Sequence, residues 1–194
     1  CLRAVSVSRP HPQRRSLRVD SHLFSLDSVR RHFHPSREGG NVARESYTER
    51  LDTLRDDVLY MSELVAGRVR DALDALARND EALAQRVIED DEEVNDMYLE
   101  LESDCVDLFA LQQPVAGDLR LIASSFKIVT DLERIGDLAT NLAEYALDAD
   151  HEVFPDVDVQ RIGDAVLDNF DDATTAYATD DTELCHEVAE TDDE

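Results

Sequence analysis

Residues 131–141 have the sequence DLERIGDLATN, which places carboxylates where a buried apolar row is expected to continue. Upstream, this row consists of Ile122, Phe126 and Val129. Their spacing of four and three residues keeps one face of a helix directed at a core. The next positions of the row include Glu133 and Asp137, which lie one helical turn apart. Because carboxylates that face a core are costly unless a cation or a proton compensates them, the segment predicts a bound metal or a partner surface.

Three amphipathic helices are predicted around this segment. The first runs from about Ser46 to Ala77, and a break at Asn79-Asp80 separates it from a second helix that ends before Pro114. The second helix carries Asp91 between the apolar residues of its core-facing row, with Asn95 one turn later. The third helix, residues 116–147, has two apolar rows and therefore packs on two neighbours. The pattern predicts an all-α fold, an antiparallel three-helix bundle over residues 44–148.

An internal repeat follows the bundle. After a predicted linker at 149–157, residues 158–194 align without gaps to the first helix pair when the chain is shifted by 101 residues. Apolar positions match in the same frame, Val69 with Phe170, Leu83 with Leu184 and Val87 with Val188. The segment 158–194 therefore corresponds to the start of a second bundle, whose first helix has no bundle partners of its own. We expect an exposed apolar stripe on it that lies across the first bundle or pairs with another chain, formed by Ile162, Ala165, Val166, Phe170, Ala173 and Tyr177.

The charge of the chain excludes some classes of partner. With 45 acidic residues against 19 Lys and Arg, the net charge is -26, so nucleic acid is not an expected partner. This excess resembles the surface of salt-adapted cytosolic proteins, as in halophiles, and the alternative is an acidic mesophilic helical protein. Three widely separated cysteines, Cys1, Cys105 and Cys185, form no metal or disulfide motif, which fits a reducing cytoplasm. No apolar run approaches the roughly 20 residues of a membrane-spanning helix, so membrane association is expected to be peripheral at most.

Residues 1–41 differ in composition from the rest of the chain. They hold eight arginines against three acids, so the charge changes from about +5 to -31 after residue 41. We interpret this segment as a basic, disordered head. Our preferred origin is non-native sequence translated upstream of a GTG start codon at Val42; a native basic tail, a targeting peptide and a lipoprotein beginning at Cys1 are the alternatives.

Four sequence segments resemble the PhoU family of phosphate-uptake regulators. They are Met61-Ser62-Glu63-Leu64, Val94-Asn95, Gln113-Pro114-Val115-Ala116-Gly117-Asp118-Leu119-Arg120 and the run from Asp131 to Glu144. The resemblance covers residues 44–194. It implies two repeated three-helix bundles, metal held at acidic motifs on the helices, and a regulator that couples the ATPase of a phosphate ABC transporter to a sensor kinase.

Carried over by position, the acidic pair of the family falls on Glu133 and Asp137, and the counterpart on the second helix falls on Asp91 and Asn95. Oxygen ligands of this kind suit Mg, Mn, Ca or iron. The resemblance also implies a non-enzymatic role in negative regulation of phosphate transport, with a homodimer as one arrangement. The chain departs from the family pattern in its basic head and in lacking the third helix of the second bundle.

Two other interpretations compete with this one. A structural or interaction bundle without metal would explain the apolar rows but not the carboxylates on them. A di-metal carboxylate enzyme would need Glu-x-x-His motifs on two helices, and residues 46–147 contain no histidine.

Overall fold

Six α-helices make up the part of the chain that the structure describes. The structure is a computed structural model that describes residues 42–111, 116–148 and 157–191, with the backbone alone for 42–45 and 111. The helices are α1 (Val42–Arg78), α2 (Glu81–Glu89), α3 (Asp91–Leu111), α4 (Ala116–Asp148), α5 (Val159–Thr179) and α6 (Thr182–Thr191). None of these helices is long and apolar enough to cross a membrane. The predicted head at 1–41, the turn at Pro114 and the predicted linker, apart from Val157, lie outside the described residues.

The predicted three-helix bundle is confirmed. It consists of α1, the pair α2 and α3 as the second arm, and α4, which contacts both arms. Its main core brings together side chains from all three arms that are almost fully buried, Val58, Met61, Val65, Val94, Leu108, Ile122 and Val129. A second cluster of mostly small residues at the other end joins α1 and α2 to α4 through Ala72, Ala75, Ala84, Val87, Ala139 and Ala143. The small side chains let the three helices approach closely there.

The prediction of one continuous second helix is wrong, because the helix is interrupted at Asp90. That residue has φ -83° and ψ 3°, and its backbone N–H donates to the carbonyl of Arg86 at 3.0 Å. The next helix then begins with Asp91, Glu92 and Glu93 in its first turn. Acidic side chains favour a helix N-terminus because they interact with its partial positive charge. The acidic run at 90–93 thus starts a new helix.

The predicted repeat is visible in the geometry of two short turns. Asn79 and Asp180, 101 residues apart, are the described non-glycine residues with positive φ, at 51° and 53°. In both turns the next residue donates its N–H to a carbonyl five residues back, from Asp80 to Ala75 and from Asp181 to Ala176, each at 3.0 Å. Asp80 and Asp181 then cap the following helices by accepting from the N–H groups of Leu83 and Leu184. The same sequence positions therefore form the same helical hairpin twice.

The helix α5 packs on the first bundle, which is one of the two arrangements predicted for it from the sequence. Gly163 lies against Leu73, where an added Cβ would collide with the leucine methyl groups. The side-chain amide of Gln160 donates to the Leu73 carbonyl at 2.7 Å. At the other end of α5 the Tyr177 hydroxyl lies 2.7 Å from the Ser125 hydroxyl, within hydrogen-bond distance. These contacts fix the helix along its length.

The expected exposed stripe on α5 is only partly correct. Ile162 and Val166 are exposed by 50% and 53%, and Ala165 and Ala173 are also exposed. Phe170 and Tyr177, in contrast, are partly buried against the main core. The reason is that α5 turns the row containing Gly163, Phe170 and Tyr177 toward the bundle. The helix α6 extends to Thr191 and has no fully buried residue.

Candidate functional site

Close contact between α3 and α4 positions the residues of the predicted site. A Cβ added at Gly136 would lie 3.2 Å from Cγ1 of Val94, a side chain that is itself fully buried. Glycine in a helix is normally unfavourable by about 1 kcal/mol relative to alanine. Here it removes the side chain that would separate the helices, which brings Asn95 and Asp91 toward residues 133–140.

Glu133 and Asp137 lie at the border of the buried row and not within it. The buried residues of α4 include Val129, Leu132, Gly136 and Ala139, so the row passes beside the two carboxylates. Glu133 is partly buried, whereas Asp137 is exposed. The expectation that both continue the core-facing row is therefore wrong for Asp137. The buried row runs from Leu132 through Gly136 to Ala139, and Asp137 lies one residue after it on the exposed side.

The carboxylate of Glu133 has no hydrogen-bond or ion-pair partner among the residues that the structure describes. Within the described ranges neither Glu133 nor Asp137 forms a hydrogen bond or an ion pair. Burial raises the pKa of the Glu133 carboxyl group, and the negative charges of Asp137 and Asp91 raise it further, while Arg134 lowers it. The two side chains thus offer free carboxylate oxygens at neighbouring positions of one helix.

Asp91 is in a different situation, since both of its oxygens accept hydrogen bonds. Oδ1 accepts from Nη1 of Arg68 at 3.2 Å and from the Thr140 hydroxyl at 3.0 Å. Oδ2 accepts from the side-chain amide of Asn95 at 3.0 Å. Asp91 therefore joins α1, α3 and α4, as its predicted position on the core-facing row requires.

Sequence reasoning missed Arg68 and Thr140. Arg68 is 6% exposed and forms an ion pair with Asp91, and its Nη2 is buried without a hydrogen-bond partner among the described residues. Its position was a usable signal, because it lies three residues after Val65 and four before Ala72, on the buried row of α1. An arginine on such a row predicts a buried carboxylate partner on another helix.

The four predicted metal ligands do not form one set. The structure brings Glu133 and Asp137 together, and it brings Asp91 and Asn95 together, but the second pair is engaged by Arg68 and Thr140. No group of three or more His, Cys, Asp or Glu side chains within the described ranges is arranged to hold a metal ion. A hard cation fits the free oxygens of Glu133 and Asp137. Asp91, in contrast, accepts three hydrogen bonds, one of them from a guanidinium.

Comparisons with known proteins point to one family. A family model described as the PhoU domain matches residues 58–146, which include the whole predicted site. The phosphate-specific transport system accessory protein PhoU homolog of Pseudomonas putida is 41% identical over 151 residues, 76% of this chain and 59% of that protein. The homolog of the same description from Clostridium acetobutylicum is 33% identical over 156 residues, 79% of this chain and 71% of that protein.

A solved structure agrees with these matches. The crystal structure of PhoU from Pseudomonas aeruginosa superimposes with a TM-score of 0.72 at 39% identity, over 76% of this chain and 72% of that chain. The chain spans 59% of the length of the Pseudomonas putida relative and 62% of that of the full-length homolog from Pseudomonas aeruginosa. Sequence, fold and the two copies of the helical hairpin agree, and the chain belongs to the PhoU family.

Proposed function

We propose that this protein is a cytoplasmic regulator of phosphate uptake and phosphate homeostasis, which restrains transport by linking a phosphate ABC transporter to a signalling partner. The observation that carries the proposal is its similarity to proteins named as accessory proteins of phosphate-specific transport. The partners we propose are the ATPase component of the transporter and a sensor kinase. The role is that of a non-enzymatic adaptor.

Two exposed apolar rows support an adaptor that binds other proteins. On α3, Leu99 and Val106 are seven residues apart, on one face of the helix, and are 60% and 53% exposed. On α4, Leu138 and Tyr145 have the same spacing and are both 65% exposed. Large apolar side chains that recur on one exposed helical face are typical of surfaces that bind proteins.

Co-purification with the transporter ATPase and the sensor kinase from cells expressing all three proteins tests this proposal. The variant Leu99→Gln/Val106→Gln and the matched variant Leu138→Gln/Tyr145→Gln each remove one row without touching the core. We expect the unaltered chain to retain at least one partner and one of the two variants to lose it. If neither partner is retained, the alternative of a structural bundle is favoured; equal retention by both variants would contradict docking through these rows.

We also propose that Glu133 and Asp137 bind a divalent or iron-type metal ion. Their free oxygens would provide two ligands on one helical turn, and water would complete the coordination, as is common for Mg and Mn. Metal content and thermal melting, with and without chelator, should differ between the chain and Glu133→Ala/Asp137→Ala. Identical metal content and melting in both proteins would contradict metal binding but would leave the adaptor role standing.

A further inference from the structure

Arg68 is a buried cation with one carboxylate partner in the described structure. Its side chain is 6% exposed, and Asp91 Oδ1 lies 3.2 Å from its Nη1. A guanidinium stays protonated in proteins, so it cannot escape burial by losing its charge. The charge of Arg68 therefore depends on Asp91, all the more because its Nη2 has no hydrogen-bond partner in the described ranges.

Three hydrogen bonds occupy most of the accepting capacity of the Asp91 carboxylate. The guanidinium and the Thr140 hydroxyl occupy one oxygen, and the Asn95 amide occupies the other. A metal ion that took Asp91 as a ligand would displace these donors. It would also place two positive charges a few ångströms from a guanidinium that is shielded from water, where repulsion is strong.

We infer that Arg68 is a built-in cation that withholds Asp91, together with Asn95, from metal ligation. It occupies, in charge and in hydrogen bonding, the position that a metal ion would take between α1, α3 and α4. Any metal at this surface is then held by Glu133 and Asp137 alone. For the unaltered protein, this inference rests on the proposal that Glu133 and Asp137 bind metal. The gain of metal binding expected when Arg68 is removed does not depend on that proposal.

This arrangement predicts a gain of metal binding on loss of the arginine. Without Arg68, Asp91 becomes a carboxylate without a guanidinium partner, close enough for its charge to act on Glu133, and affinity for hard cations rises with the number of charged ligands. The full chain is titrated with Mn²⁺ alone, and free Mn²⁺ is measured by electron paramagnetic resonance. We expect Arg68→Gln to bind Mn²⁺ at least about tenfold more tightly than the unaltered chain, and Arg68→Gln/Asp91→Asn to lose that gain. Equal affinity of the unaltered chain and Arg68→Gln would overturn the inference, as would a gain that persists without Asp91.

Two further variants keep the test decisive. Arg68→Met preserves the packing of the aliphatic stem, and circular dichroism will establish which of Arg68→Gln and Arg68→Met retains the helical fold. Asp91→Asn in the otherwise unaltered chain keeps an oxygen for Arg68, and because Asp91 is not a ligand it should lower Mn²⁺ affinity by no more than about tenfold, the lower limit for residues that support a metal site without ligating it. A large loss of affinity would identify Asp91 as a ligand and refute the inference. If the unaltered chain binds no Mn²⁺, the proposal for Glu133 and Asp137 fails, while a gain in the arginine variant still supports the role of Arg68.

Discussion

Asp57 shows at the residue scale how closely the acidic residues approach one another in this bundle. It is partly buried on α1, and its pKa is raised to about 6. Burial is the largest cause, followed by the negative charges of Asp104, Asp56 and Glu100. The pKa of Asp104 is also raised by burial, although Arg50 lowers it. Two helices thus meet with carboxylates on facing sides.

The raised pKa gives a pH dependence with a definite sign. The folded state holds the Asp57 proton more tightly than the unfolded chain, whose pKa is near 3.8. The stability that the bound proton gives to the folded state is therefore fully present below about pH 4 and is lost as the pH rises through about 6. We expect Asp57→Asn to raise the free energy of unfolding at pH 7 by about 1 kcal/mol, after allowance for solvent screening, and to have little effect at pH 4. Chemical denaturation at both pH values measures this difference.

Asp56→Asn is the matched control, because Asp56 is the exposed neighbour on the same helix. At pH 7, Asp56→Asn should change the free energy of unfolding by less than Asp57→Asn does. An equal effect of the two substitutions, or a larger effect of Asp57→Asn at pH 4 than at pH 7, would contradict this account.

The sequence predicted some residues of the site better than others. Asp91 was placed correctly, because Val87 and Val94 flank it on one row and both are buried. The ion pair with Arg68 was not foreseen, since periodicity along one helix does not reveal which residues of two helices meet. Asp137 was placed too near the core because the predicted row was continued from large side chains. The buried row keeps Ile122 and Val129 but continues after Leu132 through small residues, Gly136, Ala139, Ala143 and Ala146.

At the element scale, the sequence predicted only part of the arrangement of α5. The repeat predicted its limits and its apolar residues, but not which side of the helix would contact the first bundle. Positions equivalent to Met61 and Val65, which are fully buried in α1, are the exposed Ile162 and Val166. The side that does contact the bundle is selected by Gly163, where the backbone lies against Leu73. A glycine within a helical pattern was the available signal for close approach.

Substitution of Gly163 should weaken the packing of α5. An alanine methyl group would collide with the side chain of Leu73, which is itself almost fully buried and has little room to move. We expect Gly163→Ala to increase amide hydrogen exchange over 159–179 by about tenfold or more, corresponding to a loss of at least about 1.4 kcal/mol of local stability. Exchange in the core of α1 should change much less. Mass spectrometry of the full chain measures both.

The double variant Leu73→Ala/Gly163→Ala provides the control, because it removes the obstructing methyl groups. Exchange in α5 should then be slower than in Gly163→Ala. Unchanged exchange in Gly163→Ala would mean that the contact at Leu73 does not hold α5 in place.

At the scale of the whole molecule, the excess of acidic residues opposes the compact state. The net charge of -26 is spread over a chain of 194 residues, and two of its ion pairs, Arg55–Asp180 and Arg78–Asp74, involve exposed side chains. Exposed pairs contribute little to stability. At low ionic strength, we therefore expect the repulsion between surface carboxylates to exceed the attraction within these ion pairs.

Salt should stabilise the chain by screening this repulsion. The distance over which exposed charges interact falls from about 30 Å at 0.01 M salt to about 3 Å at 1 M. We expect the midpoint of thermal unfolding to rise by roughly 5 °C, equivalent to about 2 kcal/mol, between 0.01 M and 0.5 M KCl. Circular dichroism at a helical wavelength follows the transition. A rise confined to molar salt would instead indicate stronger burial of apolar surface, and a fall would contradict net repulsion.

The two turns at Asn79-Asp80 and Asp180-Asp181 also bear on how the chain reaches its fold. Each turn closes a helical hairpin with two residues between the helices, so the first contacts within it join positions close in the sequence. Contacts of this kind form rapidly because little chain entropy is lost in closing the loop. The packing of α4 on α1 has to bring together more distant segments. Pulse-labelled hydrogen exchange should then show protection of the hairpins before that of α4; simultaneous protection would argue against this order. A chain with two such hairpins has two local starting points for folding, one on either side of the helix that carries Glu133 and Asp137.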